Sequence, residues 1–219
     1  MMNFTGVKAI TIPEGSVAKI MRGAELLWEK PGSGGLPAGW TMANFVRFTG
    51  AQHIDTGVVP TQKTRIEVTF TRENSEARYL YGVRNSGNTA SVTAYLASSG
   101  SWRFGNTYRN FTLTVDKEYT MAVDSDGVDQ NGNHYNYGAA VKSFTANGTL
   151  TLGSTRSTSG GLGSPQFVGT VKEFRMYSDG ELVLELLPVY NAATGAYAFY
   201  DTVAGALKPS MTTTAFQGG

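Results

Sequence analysis

The residues best suited to chemistry in this chain are aromatic and cationic, and they cluster. Tyr79, Tyr81, Tyr95, Trp102, Tyr108, Tyr135 and Tyr137 occupy its middle, interleaved with Arg84, Arg103 and Arg109. Flat apolar rings beside guanidinium and amide donors are what a sugar-binding surface needs. Each tyrosine alone is better explained as a half-buried strand residue. As a group they form the expected recognition surface. The most acidic stretch, Asp124-Ser125-Asp126-Gly127-Val128-Asp129, offers oxygen ligands through Asp124, Asp126 and Asp129. Those three carboxylates suggest calcium, but no bidentate Glu follows at the distance a calcium loop requires. Asp and Asn around glycine also make ordinary hairpin turns.

Catalytic signatures are missing from the linear pattern. A glycosidase needs two carboxyl groups about 5–10 Å apart across a cleft, and no strand carries them at alternate positions among polar neighbours. Glu181 and Glu185 share a face by period two, yet Leu182, Val183, Leu184 and Leu186 surround them. Glu181 is expected to open its strand, Glu185 to point to solvent, and Glu67 to stand alone. With two histidines, His53 and His134, and no cysteine, the chain is poorly equipped for zinc, a Ser-His-Asp triad or a thiol nucleophile. His53 is expected as a packed or edge residue. The run Ser154–Gly163 lacks the Gly-Lys-Ser/Thr ending of a phosphate loop and is expected to be a long loop.

The elements that must carry these residues are strands. Thr64-Arg65-Ile66-Glu67-Val68-Thr69-Phe70-Thr71 alternates strictly, which places Ile66, Val68 and Phe70 on one face. Similar short runs continue to Tyr200, broken by Asp126-Gly127, Asn131-Gly132 and Asp179-Gly180, and no helical repeat exceeds a turn or two. Many short strands with regular turn signals predict an all-β antiparallel sandwich or barrel. Residues 1–30 predict a small meander of three strands, too short to bury a core by itself. Residues 31–39, rich in Gly, Ser and Pro, predict a linker. Residues 40–219 then form the main domain.

Composition narrows the function classes. The charged fraction is 16% and the net charge +1, without a block of like charges. The basic residues lie singly, which argues against a nucleic-acid groove. No apolar run approaches the ~20 residues that span a bilayer, and the opening residues lack the basic and apolar regions of a secretory signal.

Several stretches resemble a family of concanavalin-like jelly-roll domains, related in shape to laminin G modules, found in tail, fibre and other surface proteins of bacteriophages and prophages. Phe48-Thr49-Gly50-Ala51-Gln52-His53-Ile54-Asp55-Thr56-Gly57 is similar to the family's first strand pair. Val168 to Tyr177, Glu181 to Val189 and Gly195 to Asp201 are similar to its closing strands, in the same order. The likeness covers residues 46–216 and departs between 73 and 164. Thr11-Ile12-Pro13-Glu14-Gly15 and Gly23-Ala24-Glu25-Leu26-Leu27-Trp28 resemble short N-terminal segments of phage structural proteins. Phe48, Ile54, Phe174, Met176, Leu186 and Tyr200 fall where alternation places a core, and Gly50, Gly57, Gly180 and Gly195 where a positive φ is expected. The matched motifs are scaffold, so they speak to fold more than to function.

The resemblance implies a non-enzymatic virion surface protein (fibre, tail or head decoration), assembled in the bacterial host cytoplasm without a cofactor. Residues 1–30 would attach to other virion proteins or drive homo-oligomerisation, and the jelly roll would contact host-surface carbohydrate. No nucleic acid and no membrane insertion are expected. The alternative is a carbohydrate-binding module or a glycoside hydrolase-like enzyme of a gut bacterium.

Overall fold

The computed structural model describes residues 35–97, 99–157, 161–163 and 165–219, together with the backbone of strands Lys19–Arg22 and Glu25–Glu29. Those two strands pair antiparallel as a hairpin. The strand expected over residues 7–12, and residues 31–34 of the expected linker, lie outside the described residues. No helix occurs among the described residues.

The chain from Trp40 onward folds as two antiparallel sheets packed face to face, a β-sandwich. The larger sheet runs in the order Asn133–Asn136, Gly127–Gln130, Glu118–Val123, Thr64–Arg72, Val168–Ser178, Glu181–Asn191, Ala196–Asp201, Ala206–Lys208. Val168–Ser178 is its spine. One edge pairs with Thr64–Arg72, while the other pairs first with Val46–Thr49 and then with Glu181–Asn191. The smaller sheet runs Thr107–Thr112, Ser99–Gly105, Ser91–Leu96, Arg78–Val83, Thr151–Leu152, Ile54–Asp55.

Alternation explains which side chains meet between the sheets. Ile66, Val68 and Phe70 are buried, as are Phe48, Ile54, Phe174, Met176, Leu186 and Tyr200. Tyr81 of the smaller sheet meets Phe174 of the larger at 5.8 Å, edge to face, and Phe48 meets Phe216 at 5.0 Å. Offset and edge-to-face pairs of this kind add specificity to the area they bury. Two-residue turns close two hairpins: Asn131-Gly132 has φ of 50° and 82°, and Asp179-Gly180 has 53° and 83°. Positive φ at both central residues matches the twist of the flanking strands.

Within the sandwich, three one-residue slips break the strict alternation. They fall at Leu80, Lys172 and Val183. Each moves the following side chains to the opposite face. The slip at Val183 corrects the expectation for Glu181 and Glu185. They do not share a face, and Glu185 is 6% exposed rather than solvent-directed. His53 is buried, as expected of a packed residue.

Candidate ligand-binding face

Four strands of the smaller sheet form a meander in which alternate residues face solvent. Register places Tyr108, Arg103, Thr93 and Gly82 in one row across the sheet. The next row is Asn110, Ser101, Tyr95 and Tyr79. The rings of Tyr79 and Tyr95 lie 4.7 Å apart between centroids. Arg84 Nη1 donates to the Tyr79 hydroxyl at 3.0 Å. The Arg103 guanidinium lies 5.3 Å from the centre of the Tyr108 ring, and Tyr108 is 55% exposed. Tyr79, Arg84, Tyr95, Arg103 and Tyr108 therefore form one solvent-facing platform.

The remaining aromatics expected at the surface are elsewhere. Trp102 and Tyr81 are 0% exposed and point into the core, so they cannot touch a ligand at the surface. For Tyr81 the cause is the slip at Leu80. Two positions apart, Tyr79 and Tyr81 would share a face, but the slip leaves one outside and one inside. Burial also pushes the Tyr81 phenol well above its ordinary range. Arg109, Tyr135 and Tyr137 close one edge of the sandwich. Arg109 lies over the Tyr135 ring at 5.9 Å, and Tyr135 meets Phe111 at 5.1 Å. Burial holds the Tyr137 phenol up as well. A cavity of about 560 Å³ lies along this edge between Tyr108, Arg109, Asn110 and Tyr137.

Beside the platform is a smaller recess of about 280 Å³, lined by Tyr79, Arg84, Asn85, Ser86, Thr155 and Ser157. The sequence builds its wall through the turn after Arg78–Val83. Asn85 N donates to Ser91 Oγ at 3.0 Å, Asn85 Nδ2 to Thr89 Oγ1 at 3.1 Å, and Arg84 N to Arg156 O at 2.9 Å. Its floor depends on Gly82, because a Cβ there would stand 2.6 Å from Thr155 Oγ1. A Cβ at Gly163 would likewise meet Thr155 Cγ2 at 2.3 Å. Thr155 is thus held between two glycines.

The outer face of the larger sheet has a different character. His134, Asp129, Ala122, Glu67, Arg175 and Glu185 stand opposite one another across five successive pairings. Arg65 binds Glu67 at 2.8 Å, Asp124 at 2.5 Å and Asp129 at 3.2 Å. Arg175 donates to Glu185 at 2.8 Å and also pairs with Glu173. Thr202 donates to the other Glu185 oxygen. A groove of about 350 Å³ runs between Glu67, Thr69, Asp129, Glu173 and Arg175. Burial, then the neighbouring Glu185 and Glu67 carboxylates, hold the Glu173 carboxyl above its usual range against the pull of Arg175. Burial opposes ionisation of Asp129, but hydrogen bonds with His134 and Arg65 win and hold that carboxyl below its usual range.

This arrangement also accounts for the acidic stretch considered for calcium. Asp124 and Asp129 turn to Arg65, and Asp124 Oδ1 accepts from the backbone N–H of Asp126 at 2.8 Å, a side-chain-capped turn. The Asp126 side chain is exposed and apart from them. Among the described residues no group of three His, Cys, Asp or Glu side chains is placed to hold a metal ion.

Sequence reading missed this charged groove because each strand contributes only one or two of its residues. Polar positions in Thr64–Arg72, Glu118–Val123 and Val168–Ser178 were the only signal, and it did not indicate which would meet. A scan against protein-family models finds no match for the chain, and a search of curated proteins finds none.

Proposed function

We propose that this protein is a non-enzymatic bacteriophage virion surface protein whose sandwich binds host-surface carbohydrate through the outer face of its smaller sheet. The observation that carries the reading is the platform itself: the Tyr79–Tyr95 pair, tied to Arg84, beside the Arg103–Tyr108 pair on one solvent face. Aromatic surface left exposed in this company favours a ligand with an apolar ring face and polar edges. The likeness of residues 46–216 to concanavalin- and laminin G-like domains of phage surface proteins supports the virion assignment. On this reading residues 1–30 dock onto other virion proteins or join copies of the chain.

A polysaccharide array together with intact bacterial envelopes tests the binding. Retention that is lost in Tyr95→Ala and Tyr108→Ala supports it, and no retention of any polysaccharide or envelope at high protein concentration overturns it. Capsid, portal or tail genes beside this one support the virion setting, whereas a polysaccharide-utilisation cluster removes it.

A second reading, a glycan-cleaving enzyme, is favoured by the groove of the larger sheet, where burial raises the Glu173 carboxyl above its usual range near Glu67. Release of reducing sugar from cell-wall polymers, abolished by Glu173→Gln, would establish it in place of the first.

A further inference from the structure

We infer that the recess beside the platform is a subsite for a carboxylate-bearing sugar, with Arg84 as its anchor. The inference rests on the carbohydrate-binding reading above and names the class of glycan. Between Ala77 and Val115 the chain holds four arginines and no aspartate or glutamate. Elsewhere Arg47, Arg65, Arg156 and Arg175 each pair with a carboxylate, while the buried Arg72 donates to the Asn74 and Ala97 carbonyls and Arg109 lies over the Tyr135 ring. Arg78 pairs with Glu76. Arg84 and Arg103 form no ion pair among the described residues. A cation left without a counter-charge beside an aromatic surface favours a ligand that supplies one.

The recess adds donors to that charge. Arg84 commits Nη1 to the Tyr79 hydroxyl at 3.0 Å, which fixes its plane and leaves the Nε and Nη2 hydrogens to a ligand. Ser86 contributes a hydroxyl at the rim. On the floor Thr155 is 2% exposed, and its Oγ1 has no hydrogen-bond partner in the protein. A buried hydroxyl without a partner costs stability unless something bonds to it. Gly82 and Gly163 hold that hydroxyl in place by leaving no room for side chains of their own. The Arg84 guanidinium and the Ser86 hydroxyl thus border the recess over the Thr155 side chain, and among the described residues no carboxylate lines it.

The charge count selects the anion. One guanidinium matches the single charge and planar fork of a carboxylate. A terminal phosphate would bring up to two charges to one cation. With the sugar ring on Tyr95 and Tyr79, an exocyclic carboxylate enters the recess toward Arg84 and Ser86.

The test uses the full chain on an array of polygalacturonate, alginate and hyaluronate, each beside its carboxyl-reduced neutral counterpart, with poly(glycerol phosphate) and neutral bacterial polysaccharides included. At least one acidic polymer is expected to bind about tenfold or more tighter than its reduced form. Arg84→Gln should erase that preference, so that an acidic polymer and its reduced form are held alike. Lys172→Gln, which removes the same charge from the opposite face, should leave it intact. Thermal unfolding of each variant checks that it is folded, and Tyr79→Phe, which removes only the hydroxyl that orients Arg84, should weaken the preference in part. Equal binding of acidic and reduced polymers overturns the subsite while leaving carbohydrate binding standing. So does an equal loss in Lys172→Gln, which would mean general charge attraction. Preference for the phosphate polymer overturns the carboxylate assignment. Retention of nothing on the array overturns the subsite and the glycan reading together.

Discussion

The two outer faces of the sandwich solve the problem of charge in opposite ways. On the larger sheet nearly every cation is met by carboxylates, as Arg65 is by Glu67, Asp124 and Asp129. On the smaller sheet Arg84 and Arg103 are set against tyrosines instead. A face whose charges satisfy one another is already complete, and its ion pairs hold register among strands. Arg78 and Arg156 of the smaller sheet are paired with Glu76 and Asp55, but Arg84 and Arg103, set against tyrosines, keep electrostatic capacity for something outside the protein. Composition alone, with a net charge of +1, hides this division.

The sharpest way to break the comparison is to attack what both faces share. Trp102→Ala is expected to lose about 3–5 kcal/mol, because a fully buried large side chain leaves a cavity. Chemical denaturation measures that loss, and glycan binding should disappear with the fold. If Trp102→Ala instead stayed stable and lost only binding, the division of the aromatics into inner and outer sets would be wrong.

Next in size is Arg175→Gln on the larger sheet. It removes the Arg175 guanidinium from the buried Glu185 carboxylate and should cost about 2 kcal/mol. Adding Glu185→Gln should recover much of this, since the penalty comes from the charge left behind. Carbohydrate retention, measured on the same variants, should not change.

Tyr95→Ala and Tyr108→Ala on the smaller sheet should invert that pattern. Their stability cost is expected to stay near about 1 kcal/mol or below, while affinity for a retained glycan falls about tenfold or more. Equal behaviour of the two faces in these assays would remove the reason to separate them.

The smallest effect concerns pH. The Glu173 carboxyl is held above its ordinary value of 4.5, so the folded state keeps that proton more tightly than the unfolded chain. The stability it contributes is full below the ordinary value and is lost as pH rises through the raised one. Glu173→Gln keeps a neutral group throughout. Its melting temperature should therefore gain on wild type by roughly 1–2 °C between acidic and neutral pH. A gain in the other direction would mean that Arg175 outweighs burial at this site.

Most of the scaffold was legible in the sequence because period two is a local signal. Ile66, Val68 and Phe70 announce a buried face, and Asp179-Gly180 announces its turn through residues that tolerate positive φ. The site was legible only in part. Tyr79, Arg84, Tyr95, Arg103 and Tyr108 meet as a surface, while Tyr81 and Trp102 are core and Arg109, Tyr135 and Tyr137 close an edge. Nothing in the residues around Leu80 marks the slip that parts Tyr79 from Tyr81. The same holds at Lys172, where alternation from Val171 would send Glu173 inward and the extra residue turns it out. Glu67, Asp129 and Glu173 lie on separate strands, so their meeting depends on sheet order, which no local spacing encodes.

The double clamp on Val46–Thr49 bears on how the chain acquires its shape. That strand pairs on one side with Val168–Val171 and on the other with Gln217–Gly218. Nearby, Gln52 donates through Nε2 to Ala215 O at 2.8 Å, across a separation of 163 residues. A strand from the start of the sandwich is therefore completed only by segments from the far end of the chain. Contacts so distant in sequence slow folding, since a long loop has to close before they bring any reward. Phe48 packs against Phe216 from that last segment, so its cover is among the contacts that close the longest loop.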